Sequence, residues 1–354
     1  MSKLGRHEGP VDKLLRKSTH ACVHQAASCV EKDTENPLFR QHAKGAIPAG
    51  QVLLAFSPLE DESDLSSQSL SDFIAGTLSE FERLWSSVLF VVGDNYSVNQ
   101  YLGDNGGIPF IGCAIRRLNL AVQLYLEEHS VLIDRANKLM WKPATVKGRG
   151  CLGKVTGPHP KFKNETRWSS TRKILERCDK LIPCLRQMDT KDAVKCGADK
   201  LMLTASEAME VSELLKDLVK LDSVTVALQS ESLTMSEVRD LFDHSISKYP
   251  AMKKYLSSNA SIVNNPVFEQ AITGKEESGD EKESQVSFAQ QALKRRRPTG
   301  PSEVYIDTAF IPPASNICER LFSQSKLIFT AQRRAMKPAT LEMLVLLKAN
   351  CTLW

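Results

Sequence analysis

The apolar pattern of this chain changes period once, and that change constrains the fold more than any other feature. In the front half, short β-rich runs alternate with helical stripes. Val88-Leu89-Phe90-Val91-Val92 is wholly apolar and largely β-branched or aromatic, and Gly93-Asp94-Asn95 stops it, which predicts a buried strand. Val52-Leu53-Leu54-Ala55-Phe56, stopped by Ser57-Pro58, is a weaker run of the same kind, and Ile108-Pro109-Phe110-Ile111 is a third. Apolar residues at 74, 78, 81 and 85 have helical spacing over Phe73 to Trp85, and a long helix is predicted from about Cys113 to Asn137. The front half therefore reads strand, helix, strand, strand, helix, an α/β pattern with buried strands.

From 165 to 260 the pattern is helical throughout. Trp168, Thr171, Leu175, Cys178, Ile182 and Leu185 step by 3 and 4 along one face, and Pro183 is expected to kink or end that helix. Similar stripes cover Leu201–Leu221 and Val238–Ile246. Between these segments lie connections. Asp61 to Ser71 is acidic and Ser-rich, and reads as a solvated link. Lys275 to Ser287 is acidic and poor in apolar residues, the composition of disorder. Residues 1–49 show no periodicity and read as an unassigned leader, expected to be disordered. No internal repeat is evident.

Bulk composition sets outer limits. With 42% hydrophobic and 25% charged residues, 354 residues suffice to bury a core, in two domains or in one with an insertion. A net charge of +4 permits nucleic-acid binding without implying it. Nine scattered cysteines argue for reduced thiols rather than a disulfide framework. No run approaches the roughly 20 apolar residues that span a bilayer. The basic N-terminus lacks the apolar core of a signal peptide, so a soluble intracellular protein without a membrane partner is expected. His20, Cys22, His24 and Cys29 do not have zinc-site spacing.

Two acids are the candidate chemistry. Asp94, just past the run 88–92, emerges at the C-terminal edge of any sheet that contains it. Glu319 lies early in a short amphipathic helix, Ser315-Asn316-Ile317-Cys318-Glu319-Arg320-Leu321-Phe322-Ser323. Carboxylates brought together from a strand end and a helix suit hard Mg²⁺-type ions. Each acid also has a structural reading. Asp94 fits a strand-ending turn that caps a short helix near Val98–Leu102, and Asn316 with Glu319 has the spacing of a capping box. Trp168 heads an apolar stripe and so reads first as a core residue.

Three separated elements, taken in order, resemble the hAT family of DNA transposases over roughly 51–350. They are Asp94, Asn95 and Asn99 after an apolar strand, Arg167-Trp168-Ser169-Ser170-Thr171, and Cys318-Glu319-Arg320-Leu321-Phe322-Ser323. The resemblance implies an RNase H-like α/β core over 50–129 that lacks its first strand, a helical insertion over 130–300, and C-terminal core helices with a dimerisation region over 301–354. It implies that Asp94 and Glu319 are the second and third carboxylates of a site that holds Mg²⁺ or Mn²⁺ when active. It also implies that Arg167, Trp168 and Arg320 face DNA. Two departures stand against activity. The family's Cys-x-x-His is Cys113-Ala114-Ile115-Arg116 here, and no Asp upstream ends an apolar strand, since Asp12 and Asp33 do not. The expectation is a transposase-derived, catalytically inactive protein that needs no cofactor. An active enzyme follows only if the missing strand and aspartate are supplied, and a purely structural helical protein is the third reading.

Lys294-Arg295-Arg296-Arg297 before Pro298 fits nuclear import or phosphate contact, and equally a solvated surface. The segment Leu341 to Leu347 is apolar nearly all round and must be buried on more than one face. The resemblance makes Leu341, Leu344, Val345 and Leu347 a dimerisation surface toward a second copy or a related transposase subunit, and an intrachain core is the alternative. A nuclear, dimeric, DNA-associated protein is expected.

Overall fold

The computed structural model describes residues 66–94, 97–141, 168–196, 198–230, 232–273, 287–290, 311–333 and 335–351, together with Leu53 and Ala55. The leader, the acidic stretch over 275–286 and the basic run Lys294–Arg297 lie outside them.

Helix α1 (Ser67–Glu80) opens at Ser66, whose hydroxyl accepts from the Ser69 N–H, and ends before Glu82, which turns left-handed at φ 54. The hydroxyl cap moves the helix start into the Ser-rich link, so residues 67–71 are helix rather than connection. Trp85 falls instead in a 3₁₀ turn, Trp85–Ser87. Strand β1 (Val91–Gly93), helix α2 (Ser97–Gly106) and strand β2 (Phe110–Gly112) follow. The strands are parallel, with Val91 opposite Phe110, Val92 opposite Ile111 and Gly93 opposite Gly112. Helix α2 approaches β2 closely enough that a Cβ at Gly103 would lie 2.7 Å from the Phe110 Cβ. Glycine is required there for lack of space rather than for its dihedral freedom.

The apolar residues 90–92 of the run are explained by the two faces of this sheet, whereas Leu89, ahead of the strand, is 50% exposed. Val91 and Phe110 point to one side, against Leu70, Ile74 and Leu78 of α1 and Leu102 of α2. Phe90, Val92 and Ile111 point to the other, against Met235, Phe268, Ile272 and Ile311. A strand covered on both faces loses the polar alternation of a half-exposed one. The regular strand is nevertheless shorter than the run, because pairing begins only at Val91.

The rest is helical. Helices α3 (Ala114–Glu127) and α4 (Ser130–Trp141) replace the single helix predicted over 113–137, with the chain breaking at Glu128-His129. Then come α5 (Trp168–Arg186), α6 (Thr190–Cys196), α7 (Ala205–Ala227), α8 (Met235–Lys248), α9 (Lys253–Leu256) and α10 (Pro266–Thr273). Pro183 sits inside α5, which runs one more turn and ends at Arg186. Thr204 with Glu207 and Thr234 with Glu237 form capping boxes that fix the starts of α7 and α8. One core joins α3 to α9, with Leu118, Leu139, Leu175, Leu181, Leu218 and Leu221 at 1% exposure or less. Asp217 of α7 accepts hydrogen bonds from the Tyr125 and Tyr249 hydroxyls at 3.1 and 2.9 Å and pairs with Lys220 at 3.0 Å. Burial first, and the Asp217 carboxylate second, push Tyr125 above the ordinary phenol value.

The described chain is thus mostly helical, with one small two-stranded parallel sheet. Leu53 and Ala55, the described part of the first apolar run, belong to no strand. Two helices close the chain, α11 (Asn316–Ile328) and α12 (Pro338–Ala349), packed on each other. No helix among the described residues is long and apolar enough to cross a membrane.

Sheet and helical body are joined by a buried ion pair. Arg117 of α3 is 2% exposed, and its Nη1 donates to Glu269 Oε1 of α10 at 2.6 Å. Its Nε reaches the Tyr255 carbonyl at 3.1 Å and its Nη2 the Ser257 carbonyl at 3.0 Å, while the guanidinium lies 5.2 Å from the Phe242 ring centroid. Burial pulls Arg117 below its ordinary value, and the Glu269 carboxylate opposes that shift. Leaving one such charge buried alone costs about 3–5 kcal/mol, whereas replacing both by apolar groups is often close to neutral. Glu269→Gln is therefore expected to destabilise the protein by about 3–5 kcal/mol in urea titration. The double change Arg117→Met with Glu269→Leu is expected to recover most of that loss.

A candidate acidic edge at the ends of the parallel strands

The C-terminal ends of β1 and β2 form one edge. Asp94 follows Gly93 and Cys113 follows Gly112, and the Cys113 N–H donates to the Gly93 carbonyl at 2.7 Å, extending the ladder by one bond. The segment leading into α11 is docked on the same edge. The Ala114 N–H donates to the Pro313 carbonyl at 3.0 Å, and the Ser315 N–H lies 3.4 Å from Cys113 Sγ. Helix α11 therefore begins against the end of β2, the strand beside Asp94. Glu319 is in its first turn, with a side chain outside the described residues.

The capping-box reading of Asn316 and Glu319 is not realised. Asn316 is already helical, and the cap position falls on Ser315, which makes no side-chain cap bond. Asp94 is held by Asn99, five residues on in α2. The Asn99 amide donates to Asp94 Oδ1 at 2.7 Å and to the Asp94 carbonyl at 3.3 Å. Both partners are acceptors, so the amide nitrogen must face Asp94 and its oxygen must point away. That oxygen is buried with no hydrogen-bond partner among the described residues, and Asn99 as a whole is 1% exposed. An orphaned buried acceptor costs about 1–3 kcal/mol.

As a cation site the described part of this edge supplies one hard donor group, the Asp94 carboxylate. Asp94 is half-buried and has no cationic partner among the described residues, and Asn99 engages only one of its two carboxylate oxygens. That donor chemistry fits Mg²⁺ or Mn²⁺. Among the described residues no group of three or more His, Cys, Asp or Glu stands where it would hold a metal, and the Glu319 side chain is not among those residues.

The other candidate residues are dispersed. Trp168 is 5% exposed, at the head of α5 inside the helical core, as its stripe predicts. Its N–H lies 3.5 Å from Asn119 Oδ1 of α3, a long contact. A buried ring presents no face on which a base can stack. Arg167 and Lys294–Arg297 lie outside the described residues. Arg320 is exposed and donates to the Gln229 carbonyl at 3.1 Å, tying α11 to the end of α7.

The four residues expected to form a dimerisation surface divide into two stripes. Leu341 and Val345, one turn apart, are at most 1% exposed and pack against Phe329, Leu321, Ile328 and Met336 within the chain. Leu344 is half-buried, and Leu347 is 47% exposed beside Met343 at 53%. The apolar helix thus has an intrachain face and an open one. Two contacts went unseen in the sequence. Arg117 sits on the buried stripe with Ala114, Leu118 and Ala121, the only signal that would have marked it. Asn350 grips the backbone of Leu53 from both sides, accepting from its N–H at 2.9 Å and donating to its carbonyl at 2.8 Å, and nothing local announces that.

No protein-family model matches the chain, and no curated protein does. The placement of Trp168 has a measurable consequence. Trp168→Ala is expected to destabilise by about 3–5 kcal/mol, as for other large-to-small core changes, whereas Arg320→Ala is expected to cost less than about 1.5 kcal/mol. Urea denaturation followed by circular dichroism checks both.

Proposed function

We propose that this protein derives from an hAT-family DNA transposase, and that the chain itself is a non-catalytic, dimerising protein that associates with DNA in the nucleus. The observation that carries the reading is the docking of α11, which bears Glu319, against the end of the strand beside Asp94. An incomplete RNase H-like core accounts for that arrangement, since parallel strands of such a core deliver carboxylates to one edge where a later helix brings another. The crossover unit of β1, α2 and β2, covered on both faces, supports the same reading.

When complete, such an edge binds two divalent ions that activate an attacking oxygen and stabilise a leaving one in strand transfer. Here Asp94 and Glu319 would hold the metal, and among the described residues no group of three His, Cys, Asp or Glu stands together to complete the site. The open face of α12, with Met343, Leu344 and Leu347, is the surface for a second copy or a related transposase subunit. The resemblance assigns Arg167 and Arg320 to DNA, and the basic run Lys294–Arg297 fits phosphate contact or nuclear import.

The same edge supports a second reading, an active enzyme whose missing strand and aspartate come from another polypeptide. One experiment separates the readings. The purified chain is incubated with supercoiled plasmid and Mn²⁺, and its DNA affinity and its mass in solution are measured alongside. Binding without nicking, with a dimer mass that Leu347→Glu halves, is the expected result. Metal-dependent nicking that Glu319→Ala abolishes would establish the enzyme instead. A monomer that binds no DNA would leave only a structural helical protein.

A further inference from the structure

We infer that Asn99 is a positioning residue, which holds the Asp94 carboxylate in the orientation a divalent cation requires. The inference rests on the reading of Asp94 as a cation ligand. Three observations carry it. First, the hydrogen bonds of the Asn99 amide, at 2.7 and 3.3 Å, both go to Asp94. Second, its own oxygen is buried and has no partner among the described residues, so burial of this side chain serves the two donated bonds and leaves its other polar atom unsatisfied. Third, among the described residues the carboxylate accepts a hydrogen bond at Oδ1 alone, which restrains the group and leaves Oδ2 for a metal. A ligating carboxylate whose other oxygen accepts a fixed hydrogen bond is the ordinary arrangement around protein-bound metals.

The competing role is purely local. Asn99 bridges the turn between β1 and α2, and a turn clamp would make the same two bonds. The two roles differ in what they do to cation affinity once the protein is folded.

Binding of Mn²⁺ to the full chain is measured by electron paramagnetic resonance for the wild type, Asp94→Asn and Asn99→Ala, with the melting curve of each recorded in parallel. The expected result is an Asp94-dependent site in the wild type that Asn99→Ala weakens by about 10–100-fold at temperatures where the variant is fully folded. A lowered melting temperature with unchanged Mn²⁺ affinity would overturn the inference and leave Asn99 a turn clamp. Wild-type binding that Asp94→Asn does not alter would refute the reading of Asp94 itself, a distinct failure. If Asn99→Ala does not fold, the wild type answers alone. Mg²⁺ is expected to shift the Asn99 side-chain NH₂ resonances in ¹⁵N-labelled protein but not in Asp94→Asn, and their indifference to Mg²⁺ would contradict the proposal.

Discussion

The buried contact between Arg117 and Glu269 is the interaction on which the geometry of the acidic edge depends. Arg117 lies four residues past Cys113, so whatever fixes α3 also fixes the end of β2. Glu269 belongs to α10, whose Phe268 and Ile272 cover the second face of the sheet. One guanidinium therefore ties the helix leaving the sheet to the helix roofing it, and its remaining donors satisfy carbonyls at Tyr255, Leu256 and Ser257 around α9. Such a pair adds little net stability over a well-packed apolar substitute. Its directional bonds set the placement of α10 and of the chain around α9 against α3.

From that fixed docking the edge follows. Parallel pairing puts the residues after Gly93 and Gly112 side by side, and the extra bond from Cys113 to Gly93 carries the ladder to the rim. The chain then returns some two hundred residues later and lays Pro313 and Ser315 on the same rim before α11 begins. Helix α12 packs behind α11 through Leu341 and Val345, and Asn350 clamps Leu53 to this C-terminal pair. The helix with the open apolar stripe is thus held, through α11, to the edge that ends in Asp94.

How much of this was legible in the sequence depended on whether the determining interaction was local. The run at 88–92 announced a strand covered on both faces, and the 3–4 stepping from Trp168 to Leu185 announced α5 and the burial of Trp168. The residues that break those patterns by a long-range bond were not legible. Arg117 resembles a surface cation until Glu269 appears opposite it, and Asn350 is one polar residue after a helix until Leu53 arrives. Boundaries failed where a single backbone event decided them, such as the Ser66 cap that starts α1 early and the left-handed Glu82 that stops it before Trp85. The candidate site was half legible. Asp94 at a strand end was readable, whereas the Asn99 bond to it needed the turn itself, and the docking of Pro313 and Ser315 on the end of β2 needed the whole fold.

In the proposed function Asp94 and Glu319 belong to one edge and approach one ion. Iron-directed cleavage tests it most directly, because Fe²⁺ takes the place of Mg²⁺ on oxygen ligands and, with ascorbate and peroxide, cuts the backbone where it is bound. Paired cuts near residues 94 and 319 are expected, appearing together and fading together as Mg²⁺ is added. Cuts at only one of the two positions, or at neither, would contradict it.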